Sequence, residues 1–247
     1  MRTSVVEIEI NHHCNRRCSY CPNAITERKT KGQMSLEFFK KIILELKDNN
    51  FTGRISNDFY NEPLLHPNIV DFVEFSKAQM PKVLYYIYTN GTLLSEDLFE
   101  ALYSAGVDQF IITRQEADLN NLNYTFEKVY NQLSNEKKQL VKYRSFQTLS
   151  LTNRGGLLTN IENKVLPFTP CHIPINMITV LVDGKIIGCF EDYEENLVMG
   201  DLKNQTLKEV LNSSKFLQFE KELAMGLRHM YKPCQSCSRK EVLPPFI

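Results

Sequence analysis

The sequence predicts an α/β protein, a partial (β/α) barrel followed by a small metal-binding α+β appendage. Three observations carry this expectation. Up to about residue 150, short β-rich runs alternate with helical windows, as the successive βα units of a parallel sheet do. The pattern changes after Arg154-Gly155-Gly156, where a hairpin signal and two short helices follow. The cysteines divide in the same way, with Cys14, Cys18 and Cys21 in the first region and Cys171, Cys189, Cys234 and Cys237 in the second.

Residues 5–10 alternate apolar and charged side chains, the period of a strand. Residues 35–46 have helical spacing and open on Ser35, a good N-cap. The next units read as strand 54–60 with helix 69–80, then strand 83–88 with helix 95–104, which stops at Gly106. Strand 108–113 and helix 124–133 follow, and 140–146 and 148–152 are strand-like. Four or five units are too few for a closed eight-stranded barrel. They suit an open one whose active site lies at the C-terminal ends of its strands. Beyond the break, 178–182 and 185–189 flank Asp183-Gly184, a hairpin turn signal. Helices are expected at 206–211 and 215–224. The boundary is placed near residue 155, giving a barrel at 1–155 and an appendage at 156–247.

Lys plus Arg and Asp plus Glu number 29 each, so net charge gives no case for nucleic acid or an anionic membrane as partner. No apolar run approaches the roughly 20 residues of a membrane span. The N-terminus runs straight into a charged strand pattern, unlike a signal peptide. A cytoplasmic, reducing setting is expected. Clustered cysteines there point to metal or chemistry before disulfides, and seven of them fit one site with three ligands and one with four.

Cys14-Asn-Arg-Arg-Cys18-Ser-Tyr-Cys21 follows the first strand. Three thiolates in eight residues can wrap three corners of a cubane and leave the fourth iron open to a reactant. A zinc site completed by His12 or His13 is the alternative. The spacing C-x3-C-x-aromatic-C in this position resembles that of the radical S-adenosylmethionine (SAM) superfamily. The resemblance implies a [4Fe–4S] cluster that binds SAM and, when reduced, cleaves it to a 5′-deoxyadenosyl radical. It also implies cofactor contacts: Tyr20 by the adenine, and Glu62 on the SAM amine in Asn61-Glu62-Pro63, where Asn61 replaces the usual Gly. Thr89 and Asn90 end the third strand and could reach SAM, or Asn90-Gly91 could serve as a simple turn. Arg114 and Gln115, after the fourth strand, are candidates for its ribose or carboxylate.

Cys171, Cys189, Cys234 and Cys237 give four thiolates, enough to close a second cluster or a structural zinc site. With Met199-Gly-Asp-Leu and the helix after it, this region resembles the twitch (SPASM-like) domains that hold an auxiliary [4Fe–4S] cluster. Nearly the whole chain is similar to twitch-type radical SAM alcohol dehydrogenases that act on aminocyclitols. Shared segments include Cys21-Pro-Asn, Arg54-Ile-Ser, Leu151-x-Asn-Arg-Gly-Gly and Cys189-x-Glu-Asp. The resemblance implies two clusters, SAM, a flavodoxin- or ferredoxin-type electron donor and a small polyhydroxylated substrate whose secondary alcohol becomes a ketone. Arg154 is then expected at the reacting hydroxyl, and Glu191 as partner of a substrate ammonium or as proton acceptor. Radical modification of a ribosomal peptide is the rival enzyme reading. It is disfavoured because a first strand near residue 5 leaves no room for a preceding peptide-binding segment. A non-catalytic Fe–S carrier or redox sensor is the rival from another class.

Overall fold

The computed structural model describes residues 2–115, 125–161 and 165–240. Its eight strands are β1 (Val5–Ile8), β2 (Arg54–Ser56), β3 (Leu84–Thr89), β4 (Gln109–Arg114), β5 (Val141–Ser145), β6 (Met177–Val180), β7 (Lys185–Ile187) and β8 (Val198–Asp201). They form one sheet in the order β5-β4-β3-β2-β1-β6-β7-β8. The six strands from β5 to β6 run parallel, and the last two pairings are antiparallel.

The helices α1 (Leu36–Asp48), α2 (Ile69–Gln79) and α3 (Glu96–Ala105) are the crossovers of the first units. Ser35 and Ser95 cap α1 and α3 by accepting from the amides of Phe38 and Leu98, and Gly106 ends α3 at φ 105°. Stacked rings tie these layers together, Phe39 of α1 on Phe72 of α2 at 4.2 Å and Phe99 of α3 on Phe110 of β4 at 4.5 Å. All four rings are fully buried, and each contributes roughly 1.5–3 kcal/mol. Further on lie α4 (Thr125–Gln132), α5 (Asn135–Gln139), α6 (Ile173–Asn176), α7 (Leu207–Leu211), α8 (Ser214–Ala224) and α9 (Lys232–Gln235). A capping box between Thr206 and Glu209 opens α7. No described helix is long and apolar enough to cross a membrane.

The strand expected at 148–152 does not form. Phe146–Thr148 is a 3-10 turn, and extended chain without strand pairing follows. The Thr-Leu-Ser-Leu-Thr alternation has the right period, but the end of this segment bonds instead to the C-terminal cysteine region (below). The strand expected at 54–60 stops at Ser56, so residues 57–63 are free to build a site. Residue 124, the expected start of α4, lies outside the described residues. β8 went unforeseen because Gly200 interrupts its β-rich run. That glycine allows close approach, since a Cβ there would meet Val210 at 2.5 Å. The hairpin region continues the sheet of the barrel, because β6 pairs with β1 from Val5↔Met177 to Ile8↔Val180.

Candidate active site and second cysteine site

A cleft of about 190 Å³ opens at the C-terminal ends of the strands. It brings together Cys14, Cys18 and Cys21 with Tyr20, Asn61 and Glu62, and with Thr89, Asn90, Gln115 and Arg154. The cysteine loop is held by its own backbone: the Cys21 amide donates to Cys18 O at 2.9 Å, and Arg17 Nη1 to Cys14 O at 2.9 Å. The three thiols are half-buried and form no disulfide. Burial pushes Cys14 up to about 11 and raises Cys21 as well, so cluster binding must displace protons. His12 Nδ1 accepts from the Gly32 amide at 2.9 Å.

Glu62 is buried, and burial raises its pKa against hydrogen bonds that lower it. Its Oε1 accepts from Thr89 Oγ1 at 2.7 Å and its Oε2 from the Asn90 amide at 2.9 Å. A carboxylate has about four acceptor sites, so it can still take a ligand ammonium. Thr89 thereby acts by orienting Glu62. The Asn90 side chain donates to Asn15 Oδ1 at 2.8 Å and ties the third strand's loop to the cysteine loop. Asn61 folds back on its own turn, accepting from the Phe59 amide at 2.9 Å and donating to Asn57 O at 3.1 Å. Gln115 accepts from the Tyr20 hydroxyl and from Cys18 Sγ. Arg114 is not brought to the cleft wall; its guanidinium pairs with Glu127 of α4 at 3.3 Å. Strand alternation explains the difference, because Thr113 and Gln115 share one face and Arg114 has the other.

The second group also converges. Cys171, Cys189, Cys234 and Cys237 are buried, free of disulfides, and line one cavity. Cys234 and Cys237 flank the end of α9, while Cys189 follows β7 and Cys171 precedes α6. Burial holds the Cys189 thiol well above its usual range and pushes Cys237 up to about 11. Among the described residues no three His, Cys, Asp or Glu side chains are placed to hold a single metal ion. Four thiols lining one cavity can close an iron–sulfur core, which cysteine thiolates normally hold.

One loop joins the two sites. Arg154, Gly155 and Gly156 have φ of 49°, 64° and 94°, a left-handed run that glycine tolerates and arginine does not favour. A Cβ on Gly156 would meet Ser236 at 2.6 Å, so the loop lies directly against the Cys234–Cys237 segment. Asn153 fixes it there, donating from Nδ2 to Ser236 O at 2.7 Å and exchanging bonds with Ser238 at 3.0 Å. Arg154 reaches the cleft over the Tyr60 ring, 5.7 Å from its centroid. Burial works against its charge, but Tyr60, Glu191, Cys21 and Glu7 outweigh it and hold the guanidinium above its ordinary range.

Glu191 is no exposed charge, with a side chain 2% exposed. Its carboxylate accepts from Thr152 at 3.0 Å and from Arg239 Nε and Nη2 at 2.7 and 2.6 Å, and lies 3.6 Å from Arg154 Nη1. Sequence reasoning missed Thr152, Arg239 and Tyr60. Only Tyr60 carried a signal, as the residue just before Asn61-Glu62-Pro63.

A family model described as the radical SAM superfamily matches residues 8–141. One described as an iron-sulfur cluster-binding domain (SPASM) matches residues 171–238. The S-adenosyl-L-methionine-dependent 2-deoxy-scyllo-inosamine dehydrogenase of Niallia circulans is 36% identical over 239 residues, 97% of this chain and 94% of that protein. The crystal structure of BtrN in complex with AdoMet and 2-DOIA superposes with a TM-score of 0.91 at 36% identity, covering 98% of this chain and 96% of that one. An open conformation of BtrN gives 0.75 at 30% identity, over 96% and 92%.

Proposed function

The chain belongs to the radical SAM superfamily, and from that membership we propose that it oxidises a secondary alcohol of a small aminocyclitol or related sugar to the ketone. The observation that carries this reading is Arg154, which lines the three-cysteine cleft while its loop is stapled to the four-cysteine site. When bound, SAM and the two [4Fe–4S] clusters would supply a 5′-deoxyadenosyl radical that takes the carbinol hydrogen, and an acceptor for the one electron the substrate must still lose.

The chain's own residues do the rest. Cys14, Cys18 and Cys21 hold the catalytic cluster and leave one iron for SAM. Glu62, oriented by Thr89 and the Asn90 amide, takes the SAM amine, and Tyr20 with Gln115 forms the wall beside it. Cys171, Cys189, Cys234 and Cys237 close the auxiliary cluster. Arg154 binds the reacting hydroxyl and stabilises negative charge as its proton leaves; an arginine stays protonated and is a poor base. Glu191, facing that arginine at 3.6 Å, is suited to holding it in place. Supply of electrons by a flavodoxin- or ferredoxin-type donor, and a reducing cytoplasmic setting, complete the proposal.

Deuterium at the reacting carbon should appear in 5′-deoxyadenosine, with one SAM consumed per ketone. An Arg154→Lys variant keeps the charge but loses the planar fork, and should cleave SAM yet oxidise poorly. Product formed without net oxidation, or full activity in that variant, would overturn the reading.

A further inference from the structure

Arg228 stands in the turn Arg228–Met230 and is 1% exposed. Its Nη1 donates to Arg239 O at 2.9 Å and its Nη2 to Pro170 O at 3.0 Å, while its Nε is buried without a partner. Both acceptors are neutral carbonyls, and among the described residues no carboxylate forms an ion pair with it. A buried cation without a counter-charge is strongly disfavoured. The same side chain lines the cavity of the four cysteines. The other arginine of that wall, Arg239, is already neutralised by Glu191 at 2.6 Å. Four thiolates around an iron–sulfur core leave the site net negative, and more so after reduction. The missing counter-charge and the unbalanced cation therefore occupy one cavity.

We propose that Arg228 is a positioning residue for electron acceptance, the buried counter-ion that holds up the reduction potential of the auxiliary cluster. Net charge and hydrogen bonds to sulfur are the levers that set such potentials. Two amides work in the same direction, Glu191 N to Cys189 Sγ and Arg239 N to Cys237 Sγ, each at 3.4 Å. The assignment deepens the proposed function at the acceptor alone. It rests on the four thiols binding a cluster and not on which alcohol is oxidised.

The test uses the full chain with Cys14, Cys18 and Cys21 replaced by Ala, so that the auxiliary cluster is the one observed. After anaerobic reconstitution, an EPR-monitored redox titration reads its midpoint in the Arg228, Arg228→Lys and Arg228→Gln forms. The Gln form should shift to more negative potential by at least about 59 mV, a tenfold change in the reduced-to-oxidised ratio for one electron. The Lys form, which keeps the charge, should shift by less than half as much. Assembly in the Lys form but not in the Gln form would also support the counter-ion role. An unshifted midpoint in a loaded Gln form, or failure of both variants to assemble, would overturn it in favour of a packing role. No substrate is turned over, so a wrong substrate assignment leaves this result standing.

Discussion

Replacing Glu191 by Gln isolates the charge that joins the two sites. The amide can keep its carbonyl oxygen toward Arg239 and its nitrogen toward the Thr152 hydroxyl, so shape and hydrogen-bond count survive. What is lost is the anion facing Arg239 at 2.6 Å and Arg154 at 3.6 Å. Breaking a buried ion pair costs about 3–5 kcal/mol. The two arginine side chains are 17% and 25% exposed, which with the retained hydrogen bonds brings the expected loss to about 3 kcal/mol. For a chain of this size that is roughly 6–12 °C in Tm, read at a fixed scan rate under anaerobic conditions. SAM cleavage should persist, while oxidation falls about 100-fold as Arg154 loses its anchor. Adding Arg239→Met removes one stranded cation and should recover stability but not oxidation. A Tm within about 2 °C of wild type, in place of the roughly 6–12 °C loss expected, together with unimpaired oxidation, would refute the reasoning.

Three further outcomes are expected. Anaerobic reconstitution should give about eight irons per chain from two cubanes, and replacing Cys14, Cys18 and Cys21 with Ala should halve that and abolish SAM cleavage. Gly156→Ala forces a side chain onto Ser236 at φ 94°, a strain of about 1–3 kcal/mol; iron analysis should show preferential loss of the auxiliary cluster. Glu9 is fully buried, and burial, opposed by Arg28, raises its pKa to about 7. A raised carboxyl favours the folded state below its unfolded pKa and loses that contribution as pH rises through the folded one. Wild type should therefore lose about 2 kcal/mol from this group between pH ~5.5 and ~7.5, and Glu9→Gln should flatten that part of the denaturation profile.

Much of the site was legible because it is local. Three cysteines on one loop, or a Glu-Pro closing a strand, announce themselves by spacing, and Ser35 and Gly106 mark their helix ends by the same short-range chemistry. What was not legible depends on partners far apart in the chain. The burial of Glu191 could not be read from its neighbours in sequence, because Thr152 and Arg239, which bury it, stand 39 and 48 residues away. Thr89 read as a ligand contact, yet Glu62 takes its hydroxyl. Alternation along β4 already separated Gln115 from Arg114, but only if the strand continues that far.

The least legible feature was how the two cysteine sites are held relative to one another. The boundary near residue 155 left the relative placement of the two regions open. In the structure β6 instead lies beside β1, and main-chain bonds cross between them, from the Ser4 amide to Asn176 O at 2.9 Å and from the Glu9 amide to Val180 O at 2.8 Å. The loop carrying the first three cysteines follows β1, and Cys189 follows the hairpin that β6 begins. Both sites are thus set by one continuous sheet, with the Asn153–Ser238 bonds as a second tie. Electron transfer requires a fixed separation between donor and acceptor. A parallel strand pair supplies this more rigidly than a linker would, and hydrophobic patterning alone does not reveal such a pairing, because β6 joins β1 across more than half the chain.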